Sequence, residues 1–543
     1  MKILFINPSL RPGTDHVFLP VGLGYVVTYV RNYGYKFDIL DIDAGNYSNQ
    51  YVEEYLTKNK YDVVCLGAIV THYHWMKWCI NTIKSCQPDS KIIVGNSVGG
   101  SIPEVLFQTT KVDIVIYGEA EITMTEVLDA INYNKSFGEV VEPHVEVPHA
   151  NKGYPATIKG IGIPGIIYRT KNNLIVNNGK RKAVKNIDDF PFPDWDLFDV
   201  EKYLKIGAKT NATHSWFYAK DKAVPMPINI ARGCVFKCTF CHYVFWHDPY
   251  RHRSAENVIA EMKQLNKKYN ANFFNFYDEL SFHKLGPAKK FVDSLIAADL
   301  RWHWTCSIRA DLMGKDVDPK GKPIPREERL DLARKFVKAG CALVSYSLES
   351  GSNAILEDMN KKVKSKYFKE QMNICKEAGL ITHTSIVVGY PKETPETIKE
   401  TMTQLEELGI YPSTGFLLPL PETGMWNYAL ENNHITDIDQ YLTDITERQD
   451  FNLNMTKMTQ KQLVAETTKW LQRLNSKFQN PLKDLFKTGG ENYISANQAK
   501  DKKNSHKEND ITGKVCKWVS DLLQTVHIIL GHSTNFLRIL NFF

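Results

Sequence analysis

Three cysteines, Cys234, Cys238 and Cys241, lie within eight residues in the sequence ARGCVFKCTFCHY. Three thiolates on one short loop can bind three irons of a cubane iron–sulfur cluster and leave the fourth iron open, and such clusters prefer cysteine ligands. The other interpretation is a structural zinc site in which His242 or His247 supplies the fourth ligand. The remaining seven of the ten cysteines are scattered singly, and we expect most of them to be buried thiols.

The cysteine motif follows a predicted strand, and strands and helices then alternate along the chain. We expect six strands, at Ile228–Ala231, Phe273–Tyr277, Trp302–Ser307, Leu343–Leu348, Thr384–Val388 and Thr414–Leu418. Helices are predicted between them, at Ser254–Lys268, Ala288–Ala298, Arg326–Ala339, Ser365–Ala378 and Thr394–Leu408. Six such units predict a partial (β/α)6 barrel of the TIM type, with its active site at the carboxyl ends of the strands.

An earlier series of alternating strands and helices begins at the N-terminus. Strands are predicted at Lys2–Ile6, Phe37–Asp41, Val63–Ala68, Lys91–Val94 and Ile114–Tyr117, with helices such as Gly22–Asn32 and His74–Ser85. This alternation predicts an α/β domain with a doubly wound, Rossmann-like parallel sheet. Ligands of such sheets bind at the carboxyl ends of the strands, here the loops Asn7–Pro20, Ile69–His74, Gly95–Ser101 and Gly118–Glu121.

The chain has 543 residues, which is enough for two or three domains. We predict a doubly wound domain at 1–130, an irregular connector at 131–225, the partial barrel at 226–440 and a mostly helical region at 441–543. Hydrophobic residues make up 43% and charged residues 24%, which is typical of a folded protein. The net charge of +6 is too small over this length to indicate nucleic-acid binding.

The sequence carries neither a secretory signal at its N-terminus nor a run of 18 apolar residues, so we expect a cytoplasmic protein without a spanning helix. Asp501–Asp510 (DKKNSHKEND) reads as a charged linker. Thr459–Lys477 has a helical pattern. The final segment, Val515–Phe543, is expected to form a helical hairpin packed on the barrel; the alternative is a helix at a membrane surface.

The cysteine motif, with Phe240 before its last cysteine, resembles the signature of radical S-adenosylmethionine (SAM) enzymes. Further segments resemble the strand-end motifs of that superfamily in the same order, namely FYDEL, SIRAD, SLESGS, VGYPKET and LPLPETG. The N-terminal domain resembles the cobalamin-binding domain of one branch, through FLPVGLGYVVTYVRNYGY, THYHWMKW, VGNSVGGSIPE and YGEAEIT. The resemblance to cobalamin-dependent radical SAM enzymes covers about residues 1–440.

The resemblance implies a [4Fe–4S] cluster on Cys234, Cys238 and Cys241, with SAM chelated to its open iron. Residues implied to contact SAM are Phe240, Asp278, Glu279, Arg309, Glu349 and Gly389. Arg309 and Glu349 would hold the carboxylate and amino groups of SAM; the alternative is a structural ion pair between them. Asp278 and Glu279 would serve SAM or the substrate, or else cap a helix. Residues expected to line the cavity are Tyr243, Trp246 and His247.

The resemblance also implies cobalamin on the N-terminal domain. The residues implied to contact it are Gly22, Gly24, Thr71, Gly95, Ser97, Gly99, Gly100, Gly118 and Glu119. The D-x-H-x-x-G motif, which supplies a lower histidine ligand to cobalt in other cobalamin proteins, is absent. We expect His72 and His74 to have packing or surface roles. A paired glycine that is frequent in the family is replaced here by Gly95 and Asn96.

The implied activity is methylation of an unactivated carbon in a small-molecule, lipid or peptide substrate. A second hypothesis is oxidative cyclisation or ring rearrangement with the same cofactors, and a third is a non-catalytic corrinoid sensor. The electron donor implied is a flavodoxin or a ferredoxin. The apolar end of the chain suggests that a lipid substrate could be met at a membrane surface.

Overall fold

The computed structural model describes residues 1–478, apart from 13–16, 142–145, 148–156, 211–222, 244 and 246–247. The chain opens with five parallel strands in the order β2-β1-β3-β4-β5. They are β1 (Ile3–Asn7), β2 (Asp38–Asp41), β3 (Val63–Gly67), β4 (Lys91–Gly95) and β5 (Ile114–Ile116). The helices of this region are α1 (Val21–Tyr33), α2 (Ile42–Gly45), α3 (Asn49–Lys58), α4 (Tyr73–Cys86), α5 (Asn96–Ser101), α6 (Pro103–Thr109) and α7 (Glu121–Asn132). The predicted doubly wound sheet is confirmed.

The segment that we expected to be an irregular connector extends this sheet. It contains β6 (Gly138–Val140), β7 (Glu146–Val147), β8 (Thr157–Gly162), β9 (Ile166–Arg169), β10 (Ile175–Asn177) and α8 (Val200–Thr210). Strand β9 pairs antiparallel with β5, and β10, β8 and β6 follow it outward. These strands are short and interrupted by glycine and asparagine, so the sequence shows no strand periodicity there. The domain boundaries themselves stay a prediction.

The barrel follows as a curved set of parallel strands. Its strands and the short pair at its entrance are β11 (Pro225–Ile228), β12 (Ala231–Arg232), β13 (Arg251–His252), β14 (Phe273–Phe276), β15 (His303–Ser307), β16 (Cys341–Ser345), β17 (Thr382–His383), β18 (Ser385–Val388) and β19 (Ser413–Phe416). Strands β11, β14, β15, β16 and β17 form one sheet, and β18 pairs with β19. A bridge between Glu349 and Ile386 joins the two sheets. The partial barrel with six βα units is therefore confirmed.

The first barrel strand ends earlier than predicted, at Ile228 instead of Ala231. The next residues, in β12, pair antiparallel with β13, Ala231 opposite His252 and Arg232 opposite Arg251. This pair closes a loop that contains all three clustered cysteines. Backbone direction changes after Ile228 because the amides of Ile230 and Ala231 are bound by Asp278 instead of by a neighbouring strand.

Helices cover the outside of the barrel. They are α9 (Ala255–Tyr269), α10 (Leu285–Ala297), α11 (Arg326–Lys338), α12 (Asn353–Asp358), α13 (Ser365–Ala378), α14 (Pro395–Leu408), α15 (Gly424–Glu431), α16 (Ile438–Asp444) and α17 (Gln460–Phe478). Helix α14 shows how local sequence sets their ends. It begins with a capping box between Thr394 and Thr397 and ends at Gly409, whose φ of 72° only glycine adopts readily.

One continuous apolar core joins the two regions, since it contains Ile3 and Val27 of the N-terminal domain and Phe274 and Trp304 of the barrel. At the other end, α17 is held to α14 by Arg473, which donates to both carboxylate oxygens of Glu406 at 3.0 Å. None of the helices in the described part of the chain has the length and apolarity needed to cross a membrane. The predicted linker at Asp501–Asp510 and the apolar segment Val515–Phe543 lie outside the described residues.

Candidate functional site

The cysteine loop lies at the carboxyl ends of the barrel strands and is held there by backbone hydrogen bonds. Gly233, directly before Cys234, has φ of +83°, and a Cβ at this position would lie 3.2 Å from the carbonyl oxygen of Pro249. In the middle of the loop, the amide of Thr239 donates to the carbonyl of Met359 at 3.0 Å. The carbonyl of Thr239 accepts from the amide of Met425 at 2.8 Å. The end of α12 and the start of α15 therefore fix the position of the cysteine loop.

The environment of the three thiols combines burial with one buried cation. Burial raises the pKa of Cys234, Cys238 and Cys241, and the positive charge of Lys361 opposes that effect at each of them. Burial also acts to lower the pKa of Lys361, but Glu349 and the neighbouring cysteines outweigh it and raise this pKa. A cation that stays charged beside three thiols favours the thiolate form, which is the form that binds iron.

The histidine proposed as a zinc ligand points elsewhere. His242 Nε2 lies 2.8 Å from the Oγ of Ser101, which belongs to the N-terminal domain. His247 and Trp246 lie outside the described residues. In the part of the chain that the structure describes, no three His, Cys, Asp or Glu side chains are gathered to hold a single metal ion. His242 is therefore not placed as a zinc ligand, and three cysteines on one loop are the ligand type that iron–sulfur clusters prefer.

Glu349 has one unused hydrogen-bond acceptor, as expected of a residue that binds a ligand. It follows β16 with φ of +62° and is 6% exposed. Its Oε1 accepts from Lys361 Nζ at 2.8 Å, whereas its Oε2 is buried with no hydrogen-bond partner among the described residues. An unpartnered carboxylate oxygen is costly in a protein interior. Its position beside the cysteine loop fits the ammonium group of SAM.

Arg309 is engaged in other contacts. Its guanidinium lies 3.7 Å from the ring centre of Phe236, and it donates to the Asp311 carboxylate and to the carbonyl of Lys362. The alternative ion pair between Arg309 and Glu349 is not formed, because each has a different partner. Lys361, which the sequence analysis did not select, takes the place next to Glu349. In the sequence, Lys361 is recognisable as the first of two lysines that follow the segments SLESGS and ILEDMN.

Asp278 and Glu279 are neighbours with different surroundings. Asp278 accepts from the amides of Ile230 and Ala231 at 2.8 and 3.0 Å, and burial raises its pKa to about 7. These two amides are not in a helix, so Asp278 orders the backbone that enters the cysteine loop. Glu279 has an exposed side chain, and partial burial by the surrounding protein raises its pKa.

Gly389 lies in a tight turn after the fifth strand. Its φ is +102°, and its amide donates to Glu393 Oε2 at 2.5 Å, as the amide of Tyr390 does at 3.2 Å. Burial raises the pKa of Glu393 to about 7. Phe240 contacts the same turn, with its ring centre 6.5 Å from that of Tyr390. Glu393 is a functional candidate that the sequence analysis missed, although it lies within the quoted segment VGYPKET.

Tyr243 packs directly on the cysteine loop. It is 9% exposed, and its hydroxyl donates to the carbonyl of Cys234 at 3.3 Å. This contact gives Tyr243 a role in holding the loop.

The glycines implied to contact cobalamin divide into open and packed positions. A Cβ on Gly22 would meet nothing within 4 Å, and one on Gly95 would meet only the carbonyl of Ile116 at 4.0 Å. In contrast, a Cβ on Gly24 would lie 3.0 Å from the ring of Trp195, and one on Gly99 would lie 2.9 Å from the carbonyl of Val94. Gly24 and Gly99 are therefore required for packing, whereas Gly22 and Gly95 leave open backbone for a ligand.

The other residues of this edge show a similar division. Ser97 Oγ accepts from the amide of Val70 at 2.9 Å and so joins the loops after β4 and β3. Thr71 lies half-buried in the turn Val70–His72. A Cβ on Gly100 would make an ordinary contact with Tyr117 at 3.5 Å. Gly118 has φ of +83° and lies under the side chain of Lys180.

Glu119 accepts from Arg232 Nη1 at 2.7 Å and from Arg251 Nη1 at 2.8 Å. It therefore pairs with the barrel. His72 is buried, and burial lowers its pKa; its Nδ1 has no hydrogen-bond partner among the described residues. His74 is exposed.

Exposed apolar side chains lie on loops of both the N-terminal domain and the barrel. Leu10, Phe18 and Ile69 are exposed on loops after β1 and β3, and Val235 and Tyr277 are exposed on the barrel side. The rings of Phe18 and Tyr277 meet edge-on, with 6.4 Å between their centres. Burial of part of its side chain raises the pKa of Tyr277 to about 12. Exposed apolar side chains and open glycines fit the flat corrin ring of a cobalamin.

Comparison with known protein families matches both regions. Residues 14–128 match the B12 binding domain, and residues 228–405 match the radical SAM superfamily.

Two curated relatives match most of the chain. The anaerobic magnesium-protoporphyrin IX monomethyl ester cyclase of Rubrivivax gelatinosus is 27% identical over 408 residues, which are 74% of this chain and 65% of the cyclase. The cytidylyl-2-hydroxyethylphosphonate methyltransferase of Streptomyces wedmorensis is 24% identical over 469 residues, which are 78% of this chain and 80% of the methyltransferase.

Among solved structures, the radical SAM methyltransferase TsrM from Kitasatospora setae, with cobalamin and a [4Fe–4S] cluster bound, has the same fold. The TM-score is 0.55 at 16% identity, and the match covers 79% of this chain and 78% of TsrM. The chain thus carries a B12-binding domain followed by a radical SAM domain. This combination of domains is that of a cobalamin-dependent radical SAM enzyme, whose cofactors are a [4Fe–4S] cluster, SAM and cobalamin.

Proposed function

We propose that this enzyme methylates an unactivated carbon atom of a small-molecule, lipid or peptide substrate. The observation that carries the proposal is that the ligand-binding edges of the two domains meet, since the ring of Phe18 in the loop after β1 lies edge-on to that of Tyr277 after a barrel strand. Ile69 on the loop after β3 and Val235 on the cysteine loop are exposed apolar side chains as well, and these residues would form an apolar wall around the substrate. A substrate held between the two edges would lie within reach of both cofactors, which methyl transfer to a substrate radical requires.

When bound, the cluster with SAM supplies a 5′-deoxyadenosyl radical, and methylcobalamin supplies the methyl group. The protein's own residues perform the positioning. Glu349 offers one free carboxylate oxygen to the ammonium group of SAM, and Lys361 beside it is a cation for the SAM carboxylate. The turn at Gly389, which is held by Glu393, would lie against the adenine. The apolar wall keeps bulk water away from a reactive radical.

The share of each relative's length that matches this chain supports methylation. The chain spans 80% of the methyltransferase of Streptomyces wedmorensis and 65% of the cyclase of Rubrivivax gelatinosus, so the methyltransferase shares more of its length. The higher sequence identity to the cyclase favours a second candidate, oxidative cyclisation with the same cofactors. A flavodoxin or a ferredoxin is the electron donor that we propose for either reaction.

The two reactions differ in how SAM is consumed, and this difference can be measured before the substrate product is known. Methylation uses one SAM for the radical and a second SAM to restore the methyl group on cobalamin, so it forms 5′-deoxyadenosine and S-adenosylhomocysteine together. Cyclisation needs only the radical. We would incubate anaerobically reconstituted enzyme with reductant, hydroxocobalamin and SAM that carries a trideuterated methyl group, and quantify both products and the labelled corrinoid by mass spectrometry.

The expected result is S-adenosylhomocysteine together with trideuteromethyl-labelled corrinoid, and transfer of that label to a product once a substrate is added. Formation of 5′-deoxyadenosine without S-adenosylhomocysteine or labelled corrinoid would reject methylation in favour of cyclisation. Formation of neither compound would support the non-catalytic hypothesis. Cys238→Ala should abolish 5′-deoxyadenosine, and Cys86→Ala, which changes a thiol on the N-terminal domain next to Thr57, should not.

A further inference from the structure

A buried ion-pair network joins the N-terminal domain to the residues that lead into the cysteine loop. Arg232 lies two residues before Cys234. Its Nη1 donates to Glu119 Oε1 at 2.7 Å, and its Nη2 donates to Glu121 Oε1 at 2.6 Å. Both glutamates belong to the N-terminal domain, in the loop after β5 and the first turn of α7. One guanidinium therefore binds two carboxylates across the domain interface.

A second arginine extends the network to the other strand that closes the loop. Arg251 is the partner of Arg232 in the β12–β13 pair. Its Nη1 donates to the same Glu119 Oε1 at 2.8 Å and to the carbonyl of Val184 at 2.8 Å. The remaining oxygen of Glu119, Oε2, accepts from the amide of Val184 at 2.9 Å. Glu119 thus holds both ends of the loop that carries the cysteines.

The network is shielded from solvent, so water and salt screen the attraction between its charges only weakly. The side chains of Arg232, Glu119 and Glu121 are each about 5% exposed. Burial acts to raise the pKa of Glu119, but Arg232, the amide of Val184 and Arg251 together outweigh it and hold that pKa below its ordinary value. The Arg232 guanidinium is also enclosed by aromatic rings, with centres 5.1 Å away for Tyr25 and 4.6 Å away for Phe190. Removal of one partner would leave an uncompensated buried charge.

The loop is anchored to the same domain after its last cysteine. His242 directly follows Cys241, and its Nε2 lies 2.8 Å from Ser101 Oγ at the end of α5. Ser101 belongs to the segment after β4, and Glu119 to the segment after β5. These segments lie at the carboxyl edge of the parallel sheet, where such sheets bind their ligands. The N-terminal domain therefore anchors the cysteine loop with segments at the edge where cobalamin would bind.

We propose that Glu119, Glu121 and Ser101 are positioning residues for the cluster, and that cobalamin binding and cluster binding are thereby coupled. Cobalamin would order the segments after β4 and β5, and these segments hold Arg232 and His242 at the two ends of the cysteine loop. By thermodynamic linkage the coupling is reciprocal, so the cluster increases cobalamin affinity by the same factor as cobalamin increases cluster affinity. The inference holds for methylation and cyclisation alike.

The test is the dissociation constant of hydroxocobalamin, measured anaerobically by absorbance titration on full-length protein with and without a reconstituted cluster. In the wild type, the cluster should tighten cobalamin binding by about fivefold or more, the lower range of allosteric coupling. In Glu121→Gln, which removes one carboxylate from Arg232, the ratio of the two constants should fall towards one. Arg232→Lys is the second variant, because a lysine keeps the charge but has no fork to bind two carboxylates.

Glu126→Gln is the matched control, since Glu126 lies on the same helix α7 but pairs with Arg181 at the surface. It should keep the wild-type ratio. The ratio compares each variant with itself, so a general loss of stability or a direct effect on cobalamin contacts cancels. A wild-type ratio near one would overturn the coupling. An unchanged ratio in both Glu121→Gln and Arg232→Lys would overturn the route through Arg232.

Discussion

Glu393 allows a quantitative prediction about pH and stability. Its carboxylate is 3% exposed and binds the amides of Gly389 and Tyr390, and burial raises its pKa from 4.5 to about 7. Below the ordinary pKa, the carboxyl is protonated in both the folded and the unfolded chain and costs nothing. As pH rises from there, the unfolded chain releases the proton first, so folding stability falls until the pH exceeds the folded pKa. The full penalty is about 3 kcal/mol.

Glu393→Gln removes this penalty and keeps an oxygen that accepts both amide hydrogen bonds. We therefore expect the variant to match the wild type at about pH 4 and to be more stable by about 1–3 kcal/mol at about pH 8.5. A change of 1 kcal/mol moves the thermal midpoint of a domain of this size by about 2–4 °C. The measurement is the thermal unfolding midpoint of both proteins at both pH values, by intrinsic fluorescence.

Glu400→Gln is the control, because Glu400 is an exposed glutamate on α14, the helix that begins just after Glu393. Its midpoint should follow the wild type at both pH values. The reasoning is refuted if the difference between Glu393→Gln and the wild type is the same at both pH values. Glu393→Ala should be less stable than Glu393→Gln at both pH values, because two amides lose their acceptor at a cost of about 1–3 kcal/mol for each unsatisfied group.

Three further predictions concern the cofactor sites. Gly22→Ala should keep or slightly raise stability, because the new Cβ meets no other atom and alanine favours the helix, but it should weaken cobalamin binding. Gly24→Ala should instead lower the thermal midpoint, because its Cβ would press against the ring of Trp195. Equal cobalamin affinity in Gly22→Ala and wild type would remove Gly22 from the site. Lys361→Met should destabilise the barrel by about 3–5 kcal/mol, since it leaves Glu349 unpaired, while Lys362→Met at the exposed neighbour should not; chemical denaturation compares them. Cys238→Ala should lose the iron–sulfur absorbance after reconstitution, and retention of full iron content would contradict its assignment as a ligand.

The sequence by itself determined the features that depend on local spacing. Cys234, Cys238 and Cys241 were found from their intervals, and alternating apolar segments predicted both parallel sheets to within a few residues of most observed strand ends. Such patterns are readable because they repeat every two residues in strands and every three to four in helices. The glycine-rich strands β6–β10 were not predicted, because they are too short and too interrupted to show that periodicity.

Only the tertiary structure decided which charged groups meet. The resemblance implied that Glu119 contacts cobalamin, and in the fold its carboxylate pairs with Arg232, 113 residues further along the chain. Arg309, implied to contact SAM, binds Asp311 and stacks on Phe236. A charged side chain that is taken out of water must find a partner close by, and the partner is whichever opposite charge the fold brings within reach. Residue type and spacing identify the charges, but three-dimensional proximity selects the pairs.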